Sequence, residues 1–181
     1  MKVIRTELPD VLILEPKVFG DERGFFLESY NKKTFREATG LDFESVQDNH
    51  SSSRRGVLRG LHYQIRQPQG KIVRVFAGEV FDVAVDLRRS SPTFGKAACF
   101  RLDGASKRMA WIPPGFAHGF LVTSDQAEFV YKTTDYYAPE HERTLLWNDA
   151  ALGIRWPLEG EPIVAQKDRR GTPFASAETF A

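Results

Sequence analysis

The stretch KIVRVFAGEVFDVAVDL, residues 71–87, constrains the fold of this chain more than any other. Its apolar residues recur at every second position, a period that suits extended strands and not helices. Ala77 and Gly78 divide it into two strands. In the second, Phe81, Val83, Val85 and Leu87 share one face, and Asp82, Ala84 and Asp86 share the other. Taken by themselves, the two aspartates suggest an exposed strand face.

Further strands are predicted at residues 11–18, 24–30, 44–50, 57–65, 96–102, 108–112, 118–122 and 127–134. Turn residues separate them, among them Gly20-Asp21, Gly70, Ser91-Pro92 and Pro113-Pro114-Gly115. One early helix is predicted in NKKTFREATG, with Asn31 as its cap, Gly40 as its end, and Phe35 and Ala38 on a short apolar face. Many short strands with little helix point to an antiparallel sandwich or barrel of jelly-roll type. Trp147, Leu152, Ile154, Trp156 and Pro157 belong to a segment expected to pack on the barrel wall. A chain of 181 residues suits one domain, residues 1–181. The N-terminal run VLILEP is apolar on both faces, which suits a strand covered on both sides and suggests a homodimer built through residues 1–18.

The charge balance is nearly even, at +1, and gives no reason to expect nucleic acid or membrane as a partner. Cys99 is the single cysteine, so no internal disulfide is expected. No apolar run resembles a signal peptide or a membrane-crossing helix, and a cytoplasmic location is the default expectation.

The polar residues that could carry chemistry fall in a few short segments. They are Arg23 and Glu28 in DERGFFLESY, Gln47 and Asn49 in VQDNH, Arg59 and His62 in GVLRGLHYQ, and Lys71 after Gly70. Asp82, His118 in PPGFAHGF, Tyr131 in FVYKTTDYY, Tyr137, Glu142, and Lys167-Asp168 in QKDRRG complete the set. In a rolled sheet, inward positions from different strands converge on one lumen. Singly, each has an ordinary reading: a hydrogen-bonded histidine, a solvated lysine, a core tyrosine. A metal site is the obvious rival in a jelly roll with histidines. Here HYQ sets Gln64 where a second histidine would serve, and Lys71 stands where an acid would be wanted. That leaves only His62 and His118 as candidate ligands, too few for a typical zinc or iron site.

The ordered segments RGVLRGLHYQ, QGKIVRVFAGEVFDVAVDLRRSSPTFGK, WIPPGFAHGF, YKTTDYYAPEHE and the pair Lys167-Asp168 resemble the dTDP-4-dehydrorhamnose 3,5-epimerases. The resemblance runs from about Phe19 to Asp168. It implies an all-β, cupin-like jelly roll (a double-stranded β-helix) with a few short helices. It further implies a dimer, no metal or other cofactor, and a dTDP-4-keto-6-deoxy sugar as substrate. By resemblance His62 is the base, Asp168 its orienting carboxylate, Lys71 the cation beside the C4 oxygen, and Tyr131 the proton donor. Arg23, Arg59 and Lys167 match positions near the diphosphate. Glu28, Gln47 and Asn49 match positions near the nucleoside, and Tyr137 matches an aromatic position that stacks on thymine. His118 and Glu142 match further binding positions, and Asp82 matches an acid near the lysine. Three other functions stay open on the sequence: a single-carbon epimerase of another dTDP-4-keto sugar, a non-catalytic sugar-nucleotide-binding barrel, and a metal-dependent cupin.

Overall fold

A computed structural model describes residues 1–181. The chain opens with β1 (Lys2–Arg5), β2 (Leu12–Glu15), β3 (Val18–Asp21) and β4 (Gly24–Leu27), followed by α1 (Lys32–Thr39). The central strands are β5 (Gln47–Arg54), β6 (Val57–Gln64), β7 (Lys71–Ala77), β8 (Glu79–Asp86), β9 (Ala97–Asp103), β10 (Met109–Ile112), β11 (Phe116–Val122) and β12 (Gln126–Thr133). Two short strands, β13 (Glu142–Thr144) and β14 (Ile163–Val164), and one helical turn, α2 (Gln166–Arg169), complete the functional part of the fold. No helix is long and apolar enough to cross a membrane.

Two sheets face each other. One has the order β1-β2-β10-β7-β12-β5, the other β13-β6-β11-β8-β9 with β14 alongside β6. The strands therefore form a flattened jelly roll whose sheets do not close into one continuous barrel. Period-two alternation builds its interior. Val73, Val75, Val80, Ala84, Phe120 and Phe129 meet between the sheets, each large side chain contributing roughly 1.5–3 kcal/mol by burial. On the outside, Val83, Val85 and Leu87 pack with Leu152, Ile154 and Trp156, so the late segment covers the wall as expected.

That covering corrects the simplest view of β8. Asp82 and Asp86 are fully buried, because the face they share with Ala84 is the inner one. Each has partners: Asp82 meets His118, and Asp86 accepts from Arg88, Ser91 and Thr93. The run VLILEP is corrected as well. The strand predicted at 11–18 ends at Glu15, and both its faces are covered within the chain. Val11 and Ile13 enter the core between the sheets, while Leu12 and Leu14 pack with Phe35, Phe43 and Trp111. The strand predicted at 24–30 stops at Leu27, and that predicted at 44–50 runs instead from Gln47 to Arg54. The helix forms as predicted: the Asn31 side chain accepts from the Thr34 N–H, and Gly40 ends it in the left-handed region at φ 75°.

A bulge in β6 matters most for function. Against β11, His62 lies opposite His118 but Arg59 lies opposite Phe120, three residues matched against two. The phase of the strand changes there. Leu58, Leu61 and Tyr63 face outward into apolar clusters, while Arg59, His62 and Gln64 line the space between the sheets. Glycine at two positions permits it. A Cβ on Gly60, at φ 127°, would stand 2.6 Å from the Gly119 Cα, and a Cβ on Gly119 would stand 2.5 Å from the Arg59 carbonyl oxygen.

Candidate active site

A cavity of about 640 Å³ opens between the sheets at one end of the lumen, within the size range of small-molecule sites. Phe120 and Phe129, one from each sheet, stack across the lumen with centroids 4.1 Å apart and line the cavity on its apolar side. The β6 bulge supplies Arg59 and His62 on one wall. β7 and β12, in the opposing sheet, supply Lys71 and Tyr131.

His62 and Asp168 form a close pair, Nε2 to Oδ1 2.6 Å, although 106 positions separate them. Asp168 arrives on α2, which β14 anchors by parallel pairing to β6. Its second carboxylate oxygen accepts the Gly60 N–H at 3.1 Å, a donor that the bulge leaves free of the strand ladder. Burial opposes the Asp168 charge, but the His62 contact and the Gly60 N–H outweigh it and lower its pKa. An ionised carboxylate only accepts, so the Nε2–H of His62 donates and Nδ1 is left as the basic nitrogen. The imidazole retains about a quarter of its exposure, and Asp168 is almost fully buried.

Lys71 is buried and Tyr131 half-buried in the cavity, and neither functional atom has a hydrogen bond from the protein. Burial pushes the Lys71 ammonium down to about 8, with Asp82 and Glu142 acting in the opposite direction. Near neutral pH the cation dominates. Burial first, then the Glu142 charge, raises the Tyr131 phenol, against the opposing influence of Arg59 and Lys167. The hydroxyl is held protonated and can donate.

His118 lies across the strand ladder from His62, yet its surroundings differ. Its Nε2 faces Asp82 at 3.0 Å, and both side chains are buried. Each of these two histidines is thus engaged by a carboxylate of its own, and no group of three His, Cys, Asp or Glu side chains is arranged to hold a metal ion. Gln64 makes no ligand either. Its amide donates to the Gln67 and Tyr136 carbonyls and accepts from the Ala138 N–H, tying down the loop that carries Tyr137.

The mouth gathers most of the remaining expected residues. Gln47 accepts the Tyr137 N–H and donates to Asn49. Lys167 donates to Glu142 at 2.9 Å, and Arg59 donates to Ser53. Arg23 and Glu28 do not join them. Arg23 pairs with Asp21 at the exposed turn of the β3–β4 hairpin, and Glu28 accepts from Asn31; neither lines the cavity. Gly60, Ser53 and Gln64 are contributors that residue type alone does not reveal. The glycine in LRGLH, between two polar residues three apart, is the one sequence signal that points to the bulge.

A half-buried imidazole held by a carboxylate, with a cation and a protonated phenol on the opposing wall, makes a set of groups in a jelly-roll lumen suited to acid–base chemistry on carbon beside a carbonyl. The chain belongs to the dTDP-4-dehydrorhamnose 3,5-epimerase family, whose model matches residues 5–176. It is 62% identical over 180 residues to the dTDP-4-dehydrorhamnose 3,5-epimerase of Pseudomonas aeruginosa, covering 99% of each chain. It is 59% identical to the enzyme of that name from Shigella flexneri, again over 99% of each. The crystal structure of dTDP-6-deoxy-D-glucose-3,5-epimerase from Legionella pneumophila in complex with dTDP-4-keto-L-rhamnose superposes with a TM-score of 0.95. That structure is 50% identical and is matched over 98% of this chain and 94% of its own.

Proposed function

We propose that this chain, acting as a single domain, epimerises C3 and C5 of dTDP-4-dehydro-6-deoxy-D-glucose to give dTDP-4-dehydro-β-L-rhamnose, the epimerase step of dTDP-L-rhamnose biosynthesis. The observation that carries the reading is the placement of His62 and Tyr131 on opposing sheets. The C4 ketone makes the protons on C3 and C5 acidic. His62 Nδ1 takes the proton, and the C–H electron pair moves into a carbon–carbon double bond as charge develops on the C4 oxygen. The Lys71 cation meets that charge in a partly dry site. Tyr131 then donates its proton to the other face of the same carbon, and solvent restores both groups. Asp168 keeps the imidazole in the tautomer with Nδ1 free and stabilises its charged form. These protein groups suffice for the chemistry without a metal.

Arg59 and Lys167 are the cations proposed for the diphosphate. Gln47, Asn49 and Tyr137 are proposed for the nucleoside. His118 and Asp82 are proposed to back the sugar end beside Lys71. The wild-type enzyme incubated with the keto sugar in D₂O should incorporate deuterium at both C3 and C5, read by NMR. Label at only one carbon would instead identify a single-carbon epimerase.

The second part of the reading is a homodimer, proposed through the β3–β4 hairpin rather than residues 1–18. Val18, Phe19, Phe25 and Phe26 of the β3–β4 hairpin are exposed together. Burial of three phenylalanines would contribute several kcal/mol, at roughly 1.5–3 each. A second copy covering this hairpin would account for them and would bring Arg23 and Glu28 toward a cavity. Light scattering after size exclusion should report a dimer at micromolar concentration, and a monomer would end this reading. A cytoplasmic location suits the reduced Cys99.

A further inference from the structure

Two segments converge on one carboxylate oxygen at the cavity mouth. Lys167 Nζ, on α2, donates to Glu142 Oε2 at 2.9 Å. The Tyr137 hydroxyl donates to the same oxygen at 3.3 Å. Tyr137 is itself held through its N–H by Gln47. The other two carboxylates of the site, Asp168 and Asp82, are each committed to an imidazole inside. Glu142 is therefore the one carboxylate placed where an anionic ligand would approach. Its partner Lys167 is half exposed and free to exchange one anion for another.

We propose that Glu142 is a specificity-determining residue that stands in for the diphosphate in the empty site. It occupies Lys167 and Tyr137 until a ligand with a stronger negative charge displaces it. A nucleoside diphosphate carries two or more negative charges on one compact group and can take Lys167 from a single carboxylate. A neutral keto sugar cannot. The cost of that exchange falls on every ligand, and only one bearing a diphosphate recovers it. The electrostatics agree: burial works against the Lys167 ammonium, but the Glu142 hydrogen bond and charge outweigh it and raise its pKa. The inference rests on the nucleotide-sugar reading of the site.

Calorimetric titration with dTDP tests it, using wild type, Glu142→Gln, Lys167→Met and the double variant. Glutamine keeps the shape of Glu142 and an acceptor for Tyr137 while removing the charge. Glu142→Gln should bind dTDP roughly threefold more tightly than wild type, the scale set by a partly exposed charge pair. That gain should vanish in the Lys167→Met background, since the competition runs through Lys167. Unchanged or weaker binding in Glu142→Gln would overturn the proposal and make Glu142 a direct ligand contact or a bystander. An equal gain in both backgrounds would overturn it too, because Glu142 would then merely repel the anion. Failure of wild type to bind dTDP at all would overturn the nucleotide reading itself, and the proposal with it.

Discussion

Two histidine–carboxylate pairs lie side by side on the same sheet, and they are not equivalent. His62–Asp168 joins a bulged strand to a helical turn far along the chain, and its imidazole opens on the cavity. His118–Asp82 joins two neighbouring strands, and both members are buried. The contacts are of similar length and the residue types are the same. The difference is what each imidazole can reach. The base proposed at His62 needs one nitrogen fixed and some access to the cavity: Asp168 fixes Nε2, and the side chain keeps about a quarter of its exposure. His118 has a buried carboxylate to satisfy and little free surface, so its larger contribution is to hold the wall beside Lys71. Chemical identity makes both histidines candidates; access to the cavity is what favours His62 over His118.

The contrast is open to direct attack. His62→Ala should lower turnover by roughly 10²–10⁴-fold, the range for loss of a positioned base, while thermal unfolding stays close to wild type. Steady-state kinetics and a melting curve on the same preparation decide it, and a variant with wild-type turnover would leave the two pairs indistinguishable. His118→Ala should show the reverse emphasis. It strands Asp82 in the interior, which costs about 1–3 kcal/mol for an unsatisfied buried group, and appears as a clear drop in melting temperature. Equal melting temperatures for wild type and His118→Ala would remove the structural role assigned to this pair.

A smaller effect concerns Lys71, which sits beyond both pairs on the opposite sheet. Its folded pKa, about 8, lies below the ordinary lysine value because of burial. The cation is therefore present below pH 8 and lost as pH rises through it. kcat/KM, which reports the free enzyme, should fall on the alkaline side with an apparent pKa near 8. In Lys71→Arg that alkaline limb should move upward by more than one pH unit, since guanidinium does not titrate in this range. An unmoved limb would assign it to another group.

Much of this arrangement is legible in the sequence, and the remainder has identifiable causes. Local rules produced α1, because Asn31 and Gly40 act within a few residues of themselves. Alternation located β7 and β8, because each strand carries its own period. Alternation did not say which face was inner, so the burial of Asp82 and Asp86 depended on the late segment that covers Val83 and Val85. The bulge at Gly60 was hidden for a similar reason: it is a mismatch between two strands, and only β11 makes it visible. The pairing of His62 with Asp168 came from family resemblance, since no local pattern spans 106 positions. Arg23 and Glu28 show the limit of that route. The resemblance assigns them to the site, yet within one chain Arg23 stands at a hairpin turn and Glu28 just after that hairpin, both outside the cavity.

His62 and Tyr131 are proposed to serve opposite faces of the sugar, and Tyr131→Phe in D₂O separates the two. The variant keeps the base, the cation and the cavity but lacks the proton donor of the far wall. The enolate should still form and be reprotonated from the side of His62. NMR should then show deuterium entering C3 and C5 with retained configuration, faster than the L-sugar accumulates by at least about tenfold, at the low end of what a general acid contributes. Loss of exchange and of product in equal measure would contradict the account and reduce Tyr131 to a binding or structural residue.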